Sequence, residues 1–255
     1  MGKIIRIMKK PVIHAYFLCY NEEYILPHLL RYYSKFCEKI YIIDNMSTDK
    51  SIDIVNSFDN TEVIPYSTKG ELRDDRYLSI KNNIWKGSQG VADYVIVGDA
   101  DEFIYHENIV EFLTSCFDKG VTIFKPNGSH MIADEDLTLD YNDNIFEKVK
   151  EGVPTGVLNK MMIFDCNKIK EINYSFGCHN ANPVGDIKLY ADEDFKMLHY
   201  KFLGLKNHLY KHKIRGERLS DFNIKHGLGT YYLYTEEENI IDYRNYLVKR
   251  VKIID

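Results

Sequence analysis

Three acids in four positions, Asp99-Ala100-Asp101-Glu102, follow the apolar run Tyr94-Val95-Ile96-Val97-Gly98. A run of that kind is a strand covered on both faces, and open parallel sheets bind ligands outside the carboxyl ends of their strands. In an extended strand, residues i and i+2 share a face about 6.6 Å apart, too far to chelate one ion at roughly 2.1 Å from each. The pair therefore makes chemical sense where the strand turns, with one carboxylate on a divalent ion and the other on a hydroxyl or an ion-bound water. Departure of a nucleoside diphosphate suits such a site, because a Lewis acid stabilises the charge that accumulates on the leaving group. The plainer alternative is a solvated turn whose acids cap the next segment. Mutual repulsion argues against it: no Lys or Arg follows until Lys119, so a counter-cation must come from elsewhere. Of the nine histidines, His199 ends the strand-like run Phe195-Lys196-Met197-Leu198. Neutral imidazole is a competent ligand beside carboxylates, which places His199 with Asp101 at one ion and Asp99 close by. A buried histidine bonded to a carbonyl is the competing reading.

The elements that must carry these groups alternate strand and helix, the pattern of a mostly parallel sheet flanked by helices. Strands are expected at Val12 to Cys19, Ile40 to Asp44, Val63 to Tyr66, Tyr94 to Gly98 and Val121 to Phe124. Leu26, Leu29, Tyr33 and Phe36 lie at helical spacing, and Pro27 puts the helix start there, leaving Asn21 to Leu26 irregular at the end of the first strand. A charged helix is expected from about Arg73 to Lys86, burying Tyr77, Ile80 and Ile84. Patterning weakens between Gly128 and Tyr200, and from Leu205 onward the chain reads as helical and basic. The basic residues Lys206, Lys211, Lys213, Arg215 and Arg218 read as a solvated face, with an anionic lipid surface or a lipid-diphosphate acceptor as the sharper alternative. His208 and His212 form H-x-x-x-H, but Leu209 stands where the zinc-protease motif needs Glu, so this pair reads as helix surface.

Composition bounds the rest. With 255 residues, 45% hydrophobic and 28% charged, the chain fits one substantial globular domain. A net charge of −5 provides no global field for nucleic acid or anionic lipid. Cys19, Cys37, Cys116, Cys166 and Cys178 are an odd set without a C-x-x-C pair, which argues against a disulfide framework and a zinc ribbon and for a reducing, cytoplasmic setting. Lys3, Arg6, Lys9 and Lys10 ahead of Val12 to Tyr20 mimic a signal peptide, but His14 and the lack of a small-residue cleavage site favour a first strand. No run of about 18 apolar residues spans a membrane.

The stretches His14-Ala-Tyr-Phe-Leu-Cys-Tyr-Asn-Glu-Glu23, Ile43-Asp-Asn-Met-Ser-Thr-Asp49 and Gly98-Asp-Ala-Asp-Glu-Phe103, in that order, resemble bacterial glycosyltransferases of the family-2-like type related to glycosyltransferase family 92. The resemblance covers roughly residues 12 to 235 and extends to Asn127-Gly-Ser-His130, Gly177-Cys-His179, Leu198-His-Tyr-Lys201 and Arg215-Gly-Glu-Arg-Leu-Ser220. It departs at Asn45-Met46, where family-2 enzymes commonly carry acidic and glycine residues. It implies a GT-A type, Rossmann-like α/β fold with a catalytic domain over 1–204 (nucleotide half about 12–126, acceptor half about 127–204) and a helical extension over 205–255. It further implies that Tyr20, Asn21, Glu22 and Asp44 hold the nucleoside, that Asp99 lies near the ribose, that Ala100 also borders the nucleotide, that Asp101 with Asp99 binds Mn²⁺ or Mg²⁺, and that His199 completes the metal shell. Arg76 is a candidate diphosphate contact, and Lys81 a weaker one. The implied activity is metal-dependent transfer of a sugar from a nucleotide sugar, a UDP-sugar, to a saccharide or glycolipid acceptor in surface polysaccharide or lipopolysaccharide assembly, in the cytoplasm with at most peripheral membrane contact. An inverting reaction needs a carboxylate base, for which Glu102, Glu135, Asp136 and Asp186 qualify by type. The rival readings are a metal-dependent nucleotidyl or phosphoryl transferase and a non-catalytic glycan-binding module.

Overall fold

The computed structural model of the protein describes residues 9–255, so the basic N-terminal residues Lys3 and Arg6 lie outside the described residues. The first half runs β1 (Ile13–Cys19), α1 (Leu26–Tyr33), β2 (Lys39–Asp44), α2 (Ser51–Asn56), β3 (Thr61–Pro65), α3 (Asp74–Asn83) and β4 (Tyr94–Asp99). These strands lie parallel in the order β4-β1-β2-β3, so all four carboxyl ends open on one edge. β1 is buried at every position because it sits between β2 and β4 with apolar cores on both faces. Pro27 stands in the first turn of α1, where its missing N–H costs nothing.

β5 (Glu102–Tyr105), α4 (Ile109–Asp118), β6 (Ile123–Phe124), β7 (Asn127–Ile132), α5 (Ile145–Lys148), β8 (Glu151–Pro154), β9 (Ile163–Asp165), β10 (Ile169–Glu171), β11 (Val184–Gly185), β12 (Leu189–Tyr190) and β13 (Lys196–Phe202) follow. Three of them extend the main sheet to seven strands, β12-β6-β9-β4-β1-β2-β3, in which β9 is the antiparallel member. A second sheet has the order β14-β8-β7-β13-β5, where β14 is Val251–Lys252. Between β7 and β13 the segment of weak patterning thus holds five strands of two to four residues, too short for alternation to register. The expected helix from Arg73 to Lys86 ends at Asn83, and a 3₁₀ turn over Ile84–Ser88 buries Trp85 edge-on against Phe164. Tyr77, Ile80 and Ile84 are half-buried there, and the fully buried residue of α3 is Lys81.

The last fifty residues form α6 (Leu205–Glu217), α7 (Asp221–Lys225) and α8 (Glu236–Lys249). They share the core of the rest: Ile254 belongs to the main apolar cluster, and Tyr243 of α8 donates to Ala133 O at 2.8 Å while accepting Gly204 N–H at 3.0 Å. Gly204 starts α6 at φ +82°, where a Cβ would stand 2.7 Å from Leu137 O, so only glycine allows this close entry. All five cysteines are free and buried, and among the described residues no helix is long and apolar enough to cross a membrane.

Candidate active site at the carboxyl edge of the sheet

The central feature is the reversal at Ala100–Asp101 between β4 and β5. Ala100 N–H donates to Leu18 O at 3.2 Å and Tyr200 N–H to Asp101 O at 2.8 Å, which ties the turn to the end of β1 and to β13. Because the strand turns here, its acids diverge. Asp99 points toward α3, where Lys81 Nζ meets its Oδ1 at 2.7 Å. Asp101 points toward α6 and β13. Its Oδ2 accepts from Lys211 Nζ at 3.0 Å and lies 3.4 Å from an Arg215 Nη2, while its Oδ1 stands 3.5 Å from His199 Nε2. Glu22, at the end of β1, shares the same two cations: Lys211 Nζ at 2.9 Å and Arg215 Nη2 at 3.1 Å. Glu102 pairs inward with Lys160, and its Oε2 accepts Asp99 N–H at 3.2 Å.

Four acids and four bases from distant elements therefore meet at this edge, and the counter-cations demanded by the acidic run are Lys81, Lys160, Lys211 and Arg215. Burial opposes ionisation of Asp101, but Lys211, His199 and Arg215 together outweigh it and hold its carboxyl well below the usual range. Asp99 is also lowered, with Lys81 and Lys160 overcoming burial. For Glu22, burial wins: its carboxyl is raised despite Lys211 and Arg215, and the charge of Asp101 adds to the rise. Of the two acids that share Lys211, Asp101 thus carries the firmer charge. Burial lowers the ammonium of Lys211, yet Asp101 and Glu22 raise it overall and keep it protonated.

The expected site residues separate into distinct places. Asp101 and His199 come together, whereas Asp99 does not join them as a third ligand because residues two apart part company at the turn. Among the described residues, no group of three or more His, Cys, Asp or Glu side chains is gathered for a metal ion. Glu102 is fully buried with both carboxylate oxygens engaged, so it cannot serve as the acceptor-side base; its place is one layer inside, under Asp99. Glu135 is tied to Arg244 at 2.7 Å. Asp44 accepts Ser47 N–H with both oxygens, at 3.2 and 3.1 Å, which makes it the cap of the turn after β2. Asn21, at φ +52°, binds Thr48 through its side chain, and Glu22 N–H donates to Ser51 Oγ, so the loops after β1 and β2 are laced together. The ring of Tyr20 lies under the Arg218 guanidinium, 3.1 Å from its centroid. Ala100 is buried beneath the turn. Arg76 is 68% exposed and lines a cavity of about 390 Å³ with Tyr66, Thr68, Arg73 and Ile80, between the end of β3 and α3.

Lys81, expected to be the weaker contact of the two on α3, is the one that reaches the acids. The reading of α6 as a solvated basic face holds for Lys206 and Lys213, which are exposed, and is overturned for Lys211, which is buried, and Arg215, which is half-buried, both facing the strand ends. So is the reading of His208 and His212 as helix surface. Both are buried, with ring centroids 4.1 Å apart, His208 stacked on Phe202 and His212 edge-on to Tyr232. Burial pushes their imidazoles down to about 3 and about 2, so both are neutral. Gly216 lets this helix approach its neighbour, since a Cβ there would stand 2.5 Å from Tyr232 O.

No protein-family model matches the chain, and no curated protein sequence matches it. Among solved structures it is similar to residues 1–349 of TarS from S. aureus, with 15% identity, 81% of this chain and 65% of that one covered, and a TM-score of 0.42. It is also similar to glucosyl-3-phosphoglycerate synthase from Mycobacterium tuberculosis, solved with Mn²⁺, uridine diphosphate and glucosyl-3-phosphoglycerate, with 14% identity, 46% and 44% of the two chains covered, and a TM-score of 0.34. The match spans less than two thirds of the length of either protein. At these values a functional reading must rest on the geometry of the site itself.

Proposed function

We propose that the protein is a glycosyltransferase that moves one sugar from a nucleotide sugar, a UDP-sugar, to a saccharide acceptor of a surface glycan, with Mn²⁺ or Mg²⁺ at Asp101 and His199. The observation that carries this reading is the pairing of Asp101 Oδ1 with His199 Nε2 at 3.5 Å, at the carboxyl edge of the parallel strands. That separation is too long for a good hydrogen bond and lies about 0.5 Å beyond the roughly 3.0 Å of adjacent ligands about 2.1 Å from one ion, a gap that a small side-chain adjustment closes. His199 Nδ1 is buried without a partner, so no hydrogen bond fixes the ring for a purely structural purpose. One carboxylate and one imidazole fit such an ion, because Mg²⁺-like sites complete their shells with substrate phosphates and water. When bound, the ion would neutralise charge on the departing diphosphate.

The chain's own residues supply the rest. Asp44, Asn21 and Ser47 hold the two loops that border the nucleotide edge. The cavity beside Arg73 and Arg76 is large enough for a nucleoside, and its Thr68 is bonded to Asn45 of the turn after β2 at 2.9 Å. Glu102 and Lys160 hold the turn from beneath, so Asp99 and Asp101 keep their divergent directions.

Thermal denaturation with UDP, GDP and CMP, each with Mn²⁺ or with EDTA, tests this reading. A ligand at 100 times its dissociation constant adds about 2.7 kcal/mol, or roughly 5–11 °C for a chain of this size. UDP is expected to give that shift with Mn²⁺ and a much smaller one with EDTA. Equal shifts in both buffers would remove the metal from the reading, and a larger response to GDP or CMP would remove the uridine. Release of UDP alongside an extended glycan distinguishes glycosyl transfer from nucleotidyl transfer, which releases pyrophosphate.

A further inference from the structure

Helix α6 carries its polar residues inward. Lys211 and Arg215, four positions apart and so on one face, both reach Glu22 and Asp101. The helix is anchored to the same edge by a bridge between Leu72 and Leu219 and by Arg218 Nε, which donates to Gly70 O at 2.9 Å. Its backbone is therefore held in place beside the two acids. Two of the three ammonium hydrogens of Lys211 go to Glu22 and Asp101, and among the described residues no acceptor takes the third. Arg215 gives Nη1 to the Tyr232 hydroxyl at 3.1 Å and Nη2 to the two acids. The oxygens of Asp101 are divided in a telling way: Oδ2 is held by the two cations, and Oδ1 faces His199 alone.

We infer that Lys211 and Arg215 form a cationic latch: they neutralise Asp101 and Glu22 while no nucleotide is present, and they turn onto the donor's diphosphate when it arrives. The inference rests on the nucleotide-sugar reading above. A divalent ion at Oδ1 must approach two positive charges held on the far side of the same carboxylate while no nucleotide is present, so the latch weakens binding of the ion alone. A diphosphate offers the two cations stronger acceptors and thereby releases Asp101 to the ion. The latch thus makes ion and nucleotide bind together in preference to either alone, and reciprocity requires each to tighten the other.

The test uses the full chain, with Mn²⁺ binding followed by the electron paramagnetic resonance of the free ion and UDP binding by calorimetry. Wild type is compared with Lys211→Met and Arg215→Met, all first checked for a cooperative melt. Each variant should bind Mn²⁺ without nucleotide at least tenfold more tightly than wild type, and should bind UDP in saturating Mn²⁺ at least tenfold more weakly. Unchanged or weaker Mn²⁺ binding in the variants overturns the latch, as does unchanged UDP binding. Should Lys211→Met fail to fold, Arg215→Met, whose side chain is less buried, decides alone. Failure of wild type to bind UDP at any Mn²⁺ concentration overturns the nucleotide-sugar reading itself, a result distinct from the change in bare Mn²⁺ affinity that tests the latch.

Discussion

Replacing Lys160 with Met removes one charge from the most enclosed ion pair of the site while keeping the volume of the side chain. Lys160 and Glu102 expose 5% and 2% of their side chains, and the second oxygen of Glu102 is already committed to Asp99 N–H. Lys160 also contributes to holding Asp99 ionised. Little packing is lost, so the effect comes almost wholly from a carboxylate left buried without its cation, which costs about 3–5 kcal/mol. For a chain of this length, 1 kcal/mol moves the melting temperature by roughly 2–4 °C, so Lys160→Met should melt roughly 6–20 °C below wild type. Urea denaturation at neutral pH gives the free-energy difference directly, and thermal melts give the shift. The double variant Lys160→Met, Glu102→Gln removes the orphaned charge and should recover most of the loss, because contacting residues couple. A single variant within about 1 kcal/mol of wild type would refute the view that this pair is closed to solvent. So would a double variant whose loss equals the sum of the two single losses.

Acid should destabilise the fold well before its carboxylates titrate. Burial depresses the imidazoles of His130 and His212 to about 2 and of His208 to about 3, below the ordinary 6.5. Between those limits the unfolded chain binds more protons, so the stability these groups confer is complete above about pH 6.5 and falls as pH drops, by up to about 1.4 kcal/mol per pH unit for each. Melting temperatures from pH 7.5 to 5 should decline steeply, and His212→Gln should flatten the slope; an unaltered slope would show that His212 is open to solvent. Asp44→Ala should lower stability by about 1 kcal/mol, because it removes the acceptor for Ser47 N–H. A melt unchanged by Asp44→Ala together with weaker UDP binding would show instead that this carboxylate serves the base.

The parallel half of the molecule was legible because its strands are continuous apolar runs between polar turns. Val12 to Cys19 was expected and Ile13–Cys19 is found, and Ile40 to Asp44 became Lys39–Asp44. Pro27 marked the start of α1 through its backbone chemistry alone. The second sheet was not legible, since β8 and β14 have four and two residues and pair with each other across about a hundred residues of sequence. At the site, the proximity of Asp101 to His199 was expected from residue type, position at strand ends and the family resemblance, and the two side chains lie 3.5 Å apart. The partners of the acids were not. Lys81, Lys160, Lys211 and Arg215 come from three separate stretches of chain, and only the fold decides which exposed-looking bases become buried ones.

One signal for the missed half was present but written in an unexpected alphabet. His208, Lys211, His212 and Arg215 recur at i, i+3, i+4 and i+7, the spacing of the inward face of a helix, yet none of them is apolar. A search for hydrophobic periodicity passes over such a face and assigns it to solvent. The two histidines are neutral and pack on aromatic rings, whereas the burial of Lys211 and Arg215 makes sense only in company with an equally costly group on the other side, and the acids Glu22 and Asp101 are that group. Neither set is stable inside the protein alone: buried carboxylates without cations, or buried cations without carboxylates, would each pay a desolvation penalty of several kcal/mol per ion. The docking of α6 and the ionisation of Glu22 and Asp101 are therefore one equilibrium. A ligand that offers new partners to either side shifts both, so the helix that completes the fold is also the part of the fold best placed to register what binds.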